Sequence, residues 1–356
     1  MSRSIYDLSS NLVEHNWHLV AHSSEIKNHN DFLLFEIGDE EIVLFNDMSE
    51  IIAFNNSCPH RGTRVFTARL GNKKYICPYH GWCYINKEVK PSSPSLFRDI
   101  DFSKVSLPLW KVEKCGEFFF VGRSPEKTIY DQLGTIFNKL EKISRSVHQS
   151  CDFNHFTYQS PWYISIENAL EAYHLPYVHP STLNALSLKN IHHQFDGKNS
   201  ILSGEIGKDS VVRGLNNLRK YFHIDYEVEG YESIYIFPFA FISTTRGYSY
   251  SLQNFFPNSN LNITNFNSRF YKSKLKDPQS NLLDALFQSS IDMNRRIFDE
   301  DHEICKLYSS RNWLKNITEG KSLLSEMEIA VKHFRECCLT KLSQSYPMTD
   351  NESLLK

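Results

Sequence analysis

The chain has 356 residues, and at roughly 150 residues per domain that length suggests two domains. Its 41% hydrophobic and 22% charged residues match ordinary globular usage, which excludes a disordered chain, a fibre or a collagen. Lys and Arg number 39 against 41 Asp and Glu, a net charge of −2, so no basic excess exists to hold a polyphosphate backbone and nucleic acid is not an expected partner.

The opening MSRSIYDLSSNLVEHNW lacks the apolar core of a signal peptide, and no run reaches the ~18 apolar residues of a bilayer-spanning helix. The expected setting is the cytoplasm, without a membrane partner. The eight cysteines are therefore read as thiols or ligands rather than disulfides. From Asp31 to about Val121 the runs DFLLFEIG, EEIVLFN, EIIAFN and FFFVG read as short strands broken by turns, a small antiparallel β domain over 1–125. Ser124-Pro125 marks its end, and Thr128 to Ile143 reads as a connecting helix. In the second domain, 126–356, Ile164 to His174 has helical spacing and is expected to stop before Pro176, because the residue before proline avoids helical geometry. SIYIFPFAFIST, YSYSLQNFF and LNITNFNSRFY alternate as strands. Asn281 to Tyr308 reads as a long helix and Leu323 to about Lys341 as a final one. The fold class is α+β, with a small antiparallel β domain followed by helices packed on an antiparallel sheet.

Two motifs carry chemistry. Cys58-Pro59-His60 and Cys77-Pro78-Tyr79-His80 form the pattern C-x-H-x16-C-x2-H, in which each loop offers one thiolate and one imidazole. A tetrahedral Cys₂His₂ zinc site is one reading, although zinc modules more often pair like with like. The mixed loops suit a [2Fe–2S] cluster with two Cys on one iron and two His on the other. Pro59 and Pro78 stiffen the loops, and Trp82 can shield one face from water. The stretch CPHRG followed by CPYHGW resembles the Rieske motif. By that resemblance Cys58 and Cys77 bind one iron, and His60 and His80 the other.

Further on, IENALEAYHLPYVHP carries Glu171, His174 and His179, with Glu171 and His174 at i, i+3. Two imidazoles and a later carboxylate would make a facial triad that leaves positions open on non-haem Fe(II). D/E-x2-H-x4-H resembles the mononuclear iron motif of Rieske non-haem iron oxygenases, and the two motifs stand in that family's order over about Trp17 to Tyr308. The resemblance implies a helix-grip-like catalytic domain and a carboxylate ligand near the C-terminus. IFDEDHEIC offers Asp299, Glu300, Asp301 and Glu303. Asp301 shares its helix face with Asn294, Ile297, Ile304 and Cys305, an inward stripe, whereas the runner-up Asp299 shares its face with charged residues. A carboxylate on an inward stripe needs a partner or a metal.

The same resemblance gives Glu171 a catalytic role: it bridges the triad residue His174 to His80 of a neighbouring subunit. Many members carry Asp there, so Glu is a departure. Asn168 is a candidate to reach the iron, and Glu167 is read as solvated. Cys83, Cys115, Cys151, Cys305, Cys337 and Cys338 show no ligand spacing. The resemblance further implies an oxygenase component that uses O₂ to hydroxylate a small, cyclic or aromatic substrate. Its electrons come from a separate reductase or ferredoxin, with NAD(P)H acting only indirectly, since no G-x-G-x-x-G follows a strand. A homotrimer is the expected assembly. The alternative chemistry is oxidative demethylation or C–N cleavage of an amine or quaternary ammonium compound. A reading of a different class is a Rieske electron carrier without catalysis.

Overall fold

In the computed structural model, which describes residues 2–48, 50–85, 87–277, 283–308, 313–321 and 323–345, the opening segment is helix α1 (Ser2–His15). Its Ile5, Leu8, Leu12 and Val13 recur at helical spacing and are buried. The first sheet follows, built from β1 (His18–His22), β2 (Asp31–Ile37), β3 (Glu40–Asp47), β4 (Glu50–Asn55) and β5 (Leu70–Asn72). After the hairpin β6 (Cys83–Ile85) and β7 (Glu88–Lys90), it is completed by β8 (Leu109–Cys115) and β9 (Phe118–Gly122). Seven strands pair in the order β1-β9-β8-β4-β3-β2-β5. The loops after β4 and β5 carry the two Cys/His motifs, and Phe54, Phe66, Tyr75 and Trp82 form a core beneath them.

The second sheet is also antiparallel. Helices α2 (Ile129–Leu133) and α3 (Ile136–Ser146) lead into β10 (Val147–Tyr158). Helices α4 (Trp162–Ala169) and α5 (Leu175–Val178) precede β11 (Leu188–Asp196) and β12 (Asn199–Ile206). After α6 (Asp209–Leu218) come β13 (Tyr231–Ile236), β14 (Ala240–Thr245), β15 (Ser249–Pro257) and β16 (Thr264–Ser273). The order is β10-β16-β15-β14-β13-β12-β11, and α7 (Asp284–Cys305), α8 (Trp313–Thr318) and α9 (Ile329–Ser345) complete the chain. Helix α7 packs against α4, β10 and β16. Among the described residues no helix is long and apolar enough to cross a membrane.

One apolar core joins the two halves: Leu8 and Leu12 of α1, Phe35 of β2 and Val121 of β9 meet Trp162, Phe255 and Phe334. Polar ties cross the same seam. Asn254 donates to the Leu19 carbonyl at 2.8 Å, and the Tyr271 hydroxyl to Glu25 at 2.7 Å.

Three expectations about elements are corrected. The helix over Ile164–His174 ends at Ala169. Glu171 turns its carboxylate back onto the N–H groups of Tyr173 and His174, a local bond that competes with helix continuation, and Pro176 lies in the first turn of α5, where its missing N–H costs nothing. The connecting helix over Thr128–Ile143 is two helices, broken at Gly134, where the Asp196 carboxylate accepts the Thr135 N–H at 2.5 Å. Within SIYIFPFAFIST the chain reverses between β13 and β14 at Phe237–Phe239. The helix expected over Asn281–Tyr308 is observed as Asp284–Cys305, and Asn281 lies outside the described residues.

Candidate metal centres

The two Cys/His loops repeat one turn. The Gly62 N–H donates to the Cys58 carbonyl at 2.8 Å and the Gly81 N–H to the Cys77 carbonyl at 3.0 Å. Both glycines are left-handed, at φ 75° and 69°, a conformation that glycine adopts without steric cost. Cys58 and Cys77 are buried, while His60 is half-buried and His80 exposed. The imidazoles pair at 4.8 Å between centroids, with Trp82 stacked on His60 at 4.7 Å and Tyr79 on His80 at 3.8 Å. Burial pushes the Cys58 thiol up, the His60 backbone N–H opposes this, and the neighbouring Cys77 sulfur adds to the rise.

Two adjacent buried sulfurs ionise only beside positive charge, so the pocket suits a cationic centre. A single zinc ion would draw all four donors within about 4.6 Å of one another, twice the Zn–S distance. Among the described residues, the only three-donor group converging within 4.8 Å is His174, His179 and Asp301. The Cys58/Cys77 pair and the His60/His80 pair therefore fit two irons better than one zinc.

The second centre is built from the turn after α4 and from α7. Phe287, Ile291, Phe298 and Cys305 are the buried face of α7, and Asp301, one turn after Phe298, shares it, whereas Asp299 is exposed. The His179 Nε2 lies 2.9 Å from Asp301 Oδ1 and the His174 Nε2 lies 3.6 Å from the same oxygen. Each ring is held from behind. The His174 Nδ1 is 2.5 Å from Glu171 Oε1, and the His179 Nδ1 is 2.8 Å from Glu300 Oε2, which also accepts from the Thr182 hydroxyl at 2.5 Å. Burial alone would lower the His179 pKa, but the hydrogen bonds and charges of Asp301 and Glu300 outweigh it and raise the pKa. Three carboxylates around two imidazoles leave a surplus of negative charge, and two Nε2 atoms and a carboxylate facing one point are the donor set of a facial triad.

Residues 16–93 match the Rieske [2Fe-2S] domain, and residues 141–344 match the catalytic domain of the ring hydroxylating alpha subunit. The chain belongs to the family of ring-hydroxylating alpha subunits. The carnitine monooxygenase oxygenase subunit of Escherichia coli is 26% identical over 294 residues, 77% of this chain and 74% of that protein. The anthranilate 1,2-dioxygenase large subunit of Acinetobacter baylyi is 30% identical over 189 residues, 49% of this chain and 40% of that one. Among solved structures, the quaternary ammonium Rieske monooxygenase CntA with L-carnitine has a TM-score of 0.75 at 17% identity, covering 95% of this chain and 91% of that chain. Naphthalene 1,2-dioxygenase from Rhodococcus sp. bound to indole has a TM-score of 0.65 at 17% identity, covering 96% and 92%. At that identity the structures speak to the fold. This alpha subunit is a Rieske non-haem iron oxygenase component. Its cofactors are a [2Fe–2S] cluster and a mononuclear iron with O₂ as co-substrate, and it acts on a small molecule with a separate reductase.

Sequence reasoning named Glu300 among four acidic residues without a role, yet it is the carboxylate behind His179. The signal was its position next to Asp301, one residue round the helix toward the Thr182 turn. Asn168, left as a candidate, donates to Asp301 Oδ1 at 2.7 Å. Glu167, expected to be solvated, is buried, accepts from Arg335 at 2.6 and 2.7 Å, and takes the Trp313 indole N–H at 2.7 Å. A cavity of about 400 Å³ opens on His174, His179 and Asp301, bounded by α4, α7 and the inner face of the second sheet.

Proposed function

We propose that Cys58 and Cys77 hold one iron of the cluster and His60 and His80 the other, and that His174, His179 and Asp301 hold the mononuclear iron. The observation that carries this reading is the approach of both Nε2 atoms to one Asp301 oxygen while Glu171 and Glu300 anchor the Nδ1 atoms. When bound, these cofactors supply one-electron transfer and dioxygen activation. The protein's own part is positional. Glu171 and Glu300 keep the ring protons on Nδ1 and leave each Nε2 free to ligate. Asn168 orients the Asp301 carboxylate, and the apolar walls exclude water from the reacting carbon.

The reaction is hydroxylation of a small cyclic or aromatic compound, R–H + O₂ + 2e⁻ + 2H⁺ giving R–OH + H₂O. A cavity of this size and lining supports it, since small-molecule sites are mostly apolar with a few placed polar groups. The second reading, oxidation of a quaternary ammonium compound, is favoured by the names of relatives such as the Escherichia coli protein. Product analysis under ¹⁸O₂ with cyclic and N-methyl substrates decides between the two. Three irons and two sulfides per chain are expected in the holoenzyme; two irons would return the protein to an electron carrier, and zinc alone would overturn both.

Exposed surface supports a trimeric assembly. Tyr79 beside His80 is 57% exposed, and Tyr173 and Tyr177, flanking His174, are 52% and 78% exposed. Such aromatics suit burial between copies, with the His80 loop of one subunit against the Glu171–Tyr177 turn of the next, and a three-membered ring closes such a head-to-tail contact. We assign residues 1–125 to the Rieske domain and 126–356 to the catalytic domain, a division supported by family matches that end at 93 and resume at 141. We also place the protein in the cytoplasm, a reducing setting that keeps ligand thiols such as Cys58 and Cys77 available.

A further inference from the structure

The cavity has two unlike walls. Leu183 and Leu186 after α5, Leu215 and Leu218 of α6 and Ile297 of α7 make one wall apolar. The sheet makes the other, and it carries a row of hydroxyls. Ser233 on β13 pairs with Ser243 on β14, and Ser243 pairs with Ser251 on β15. Directly paired residues on adjacent strands share a face, so the three side chains stand in line across the sheet, and all three border the cavity. One step along β15, Gln253 donates its amide N–H groups to Ser243 Oγ at 3.1 Å and Ser251 Oγ at 3.2 Å. Ser251 keeps its own O–H to donate, while Ser233 and Ser243 also hydrogen-bond with the Tyr231 hydroxyl, which borders the same cavity.

Charge is scarce in the same space. Among the described residues lining the cavity there is no Lys or Arg, and Glu171 and Asp301 are the only acids. Both stand at the metal site. Apart from the metal itself, no positive side chain would answer an anion buried there, which is costly. A quaternary ammonium group would need open aromatic faces. Several of the lining rings are packed on one another: Phe222 stacks on Tyr248 at 4.6 Å and meets Phe287 at 6.1 Å, Phe255 lies 4.9 Å from Phe266, and the Tyr231 hydroxyl is tied to Ser233 and Ser243.

We propose that the substrate is an uncharged, mainly apolar molecule bearing a hydroxyl or carbonyl oxygen, held at that oxygen by Ser233, Ser243, Ser251 and Gln253. The inference rests on the oxygenase reading above and narrows it to a substrate class unlike the charged carnitine and anthranilate in two of its relatives' names. A ligand oxygen can add a hydrogen bond to this polar row that bare hydrocarbon cannot, so the row favours the oxygen-bearing molecule.

The test is calorimetric titration of the holoenzyme with four probes that share one ring system: 2-naphthol, naphthalene, 2-naphthoate and (2-naphthylmethyl)trimethylammonium. The naphthol should bind at least ~10-fold tighter than either charged probe, and tighter than naphthalene by roughly 3–10-fold, the worth of one hydrogen bond. Gln253→Leu and, separately, Ser243→Ala should erase the naphthol's advantage over naphthalene while leaving naphthalene binding unchanged. Charged probes that bind as tightly as the naphthol, a naphthol advantage that survives both variants, or no binding by any probe overturns the proposal. Iron, sulfide and the reducible visible absorption of the cluster are measured on the same preparation. Their loss would count against the oxygenase reading, whereas a wrong order of probes with intact metal content counts against the substrate class alone.

Discussion

Glu300→Gln is the sharpest probe of how the mononuclear site is held. The side chain keeps its volume and an oxygen for the His179 Nδ1–H, now 2.8 Å away, but loses its charge. Hydrogen bonds to charged groups contribute ~1.5–3 kcal/mol and neutral ones ~0.5–1.5, so the change should cost about 1–1.5 kcal/mol, or roughly 5–10-fold in iron affinity. Glu300→Ala removes the partner altogether and leaves the Thr182 hydroxyl and the His179 ring unanchored, so its loss should approach the ~100-fold upper range for such supporting residues. Iron retention is read by equilibrium dialysis against a ferrous chelator, with the cluster's visible absorption as an internal control. The control should not move, because Glu300 is on α7 and the Cys/His loops are on the first sheet. Wild-type affinity in both variants would refute the view that a carboxylate behind His179 orients it, and a simultaneous loss of the cluster would show a general folding defect instead.

Asp301→Ala should lose mononuclear iron and product while keeping the cluster spectrum, and Asp299→Ala should keep both; metal analysis and turnover check the pair. Glu171→Gln should retain iron within ~10-fold, yet its reduced cluster should reoxidise slowly when mixed with O₂ and substrate, and normal reoxidation would free Glu171 from any relay. The Tyr75 hydroxyl is buried without a protein partner, and burial together with the nearby Cys58 and Cys77 sulfurs holds its pKa up. Tyr75→Phe should therefore keep the cluster but lower its midpoint potential by roughly 40 mV, the equivalent of one ~1 kcal/mol hydrogen bond in a one-electron couple, and an unchanged potential would show that the hydroxyl points elsewhere. His18 and His22 are lowered to about 4, chiefly by burial and against their bonds to the Val13 and Ser144 carbonyls. Below pH 6.5 the unfolded chain then binds more protons than the folded one, so stability should fall by about 2 kcal/mol per histidine between pH 7 and 5; urea denaturation midpoints that stay flat over that range would contradict this.

What the sequence disclosed tracks how local each signal is. The Cys58–His60 and Cys77–His80 loops and the His174/His179 pair are short motifs whose chemistry is fixed by spacing. Asp301 was separable from Asp299 because one helix face alternates with another at 3.6 residues. Non-local partners were not visible in this way. Glu167 looked like a solvated acid because its partner Arg335 lies 168 residues away in sequence. The strand β10 escaped notice because HQSCDFNHFTY is polar along much of its length and only half-buried. The end of α4 was misplaced because Glu171 satisfies backbone N–H groups that a continuing helix would have used. Glu300 had no identity apart from its acidic neighbours until the turn bearing Thr182 came to meet it.

The seam between the two sheets bears on kinetics. Leu19 and Glu25, at the edge of the first sheet, are fastened to Asn254 and Tyr271 of the second, and α1 threads its apolar face into the joint core. A cluster domain mounted this firmly has no arc to swing through. In the proposed ring, the tunnelling gap to the iron becomes a constant of the assembly and is not sampled by tethered diffusion. Transfer rates should then be insensitive to solvent viscosity, yet respond sharply to dilution or to any substitution that pries the subunits apart.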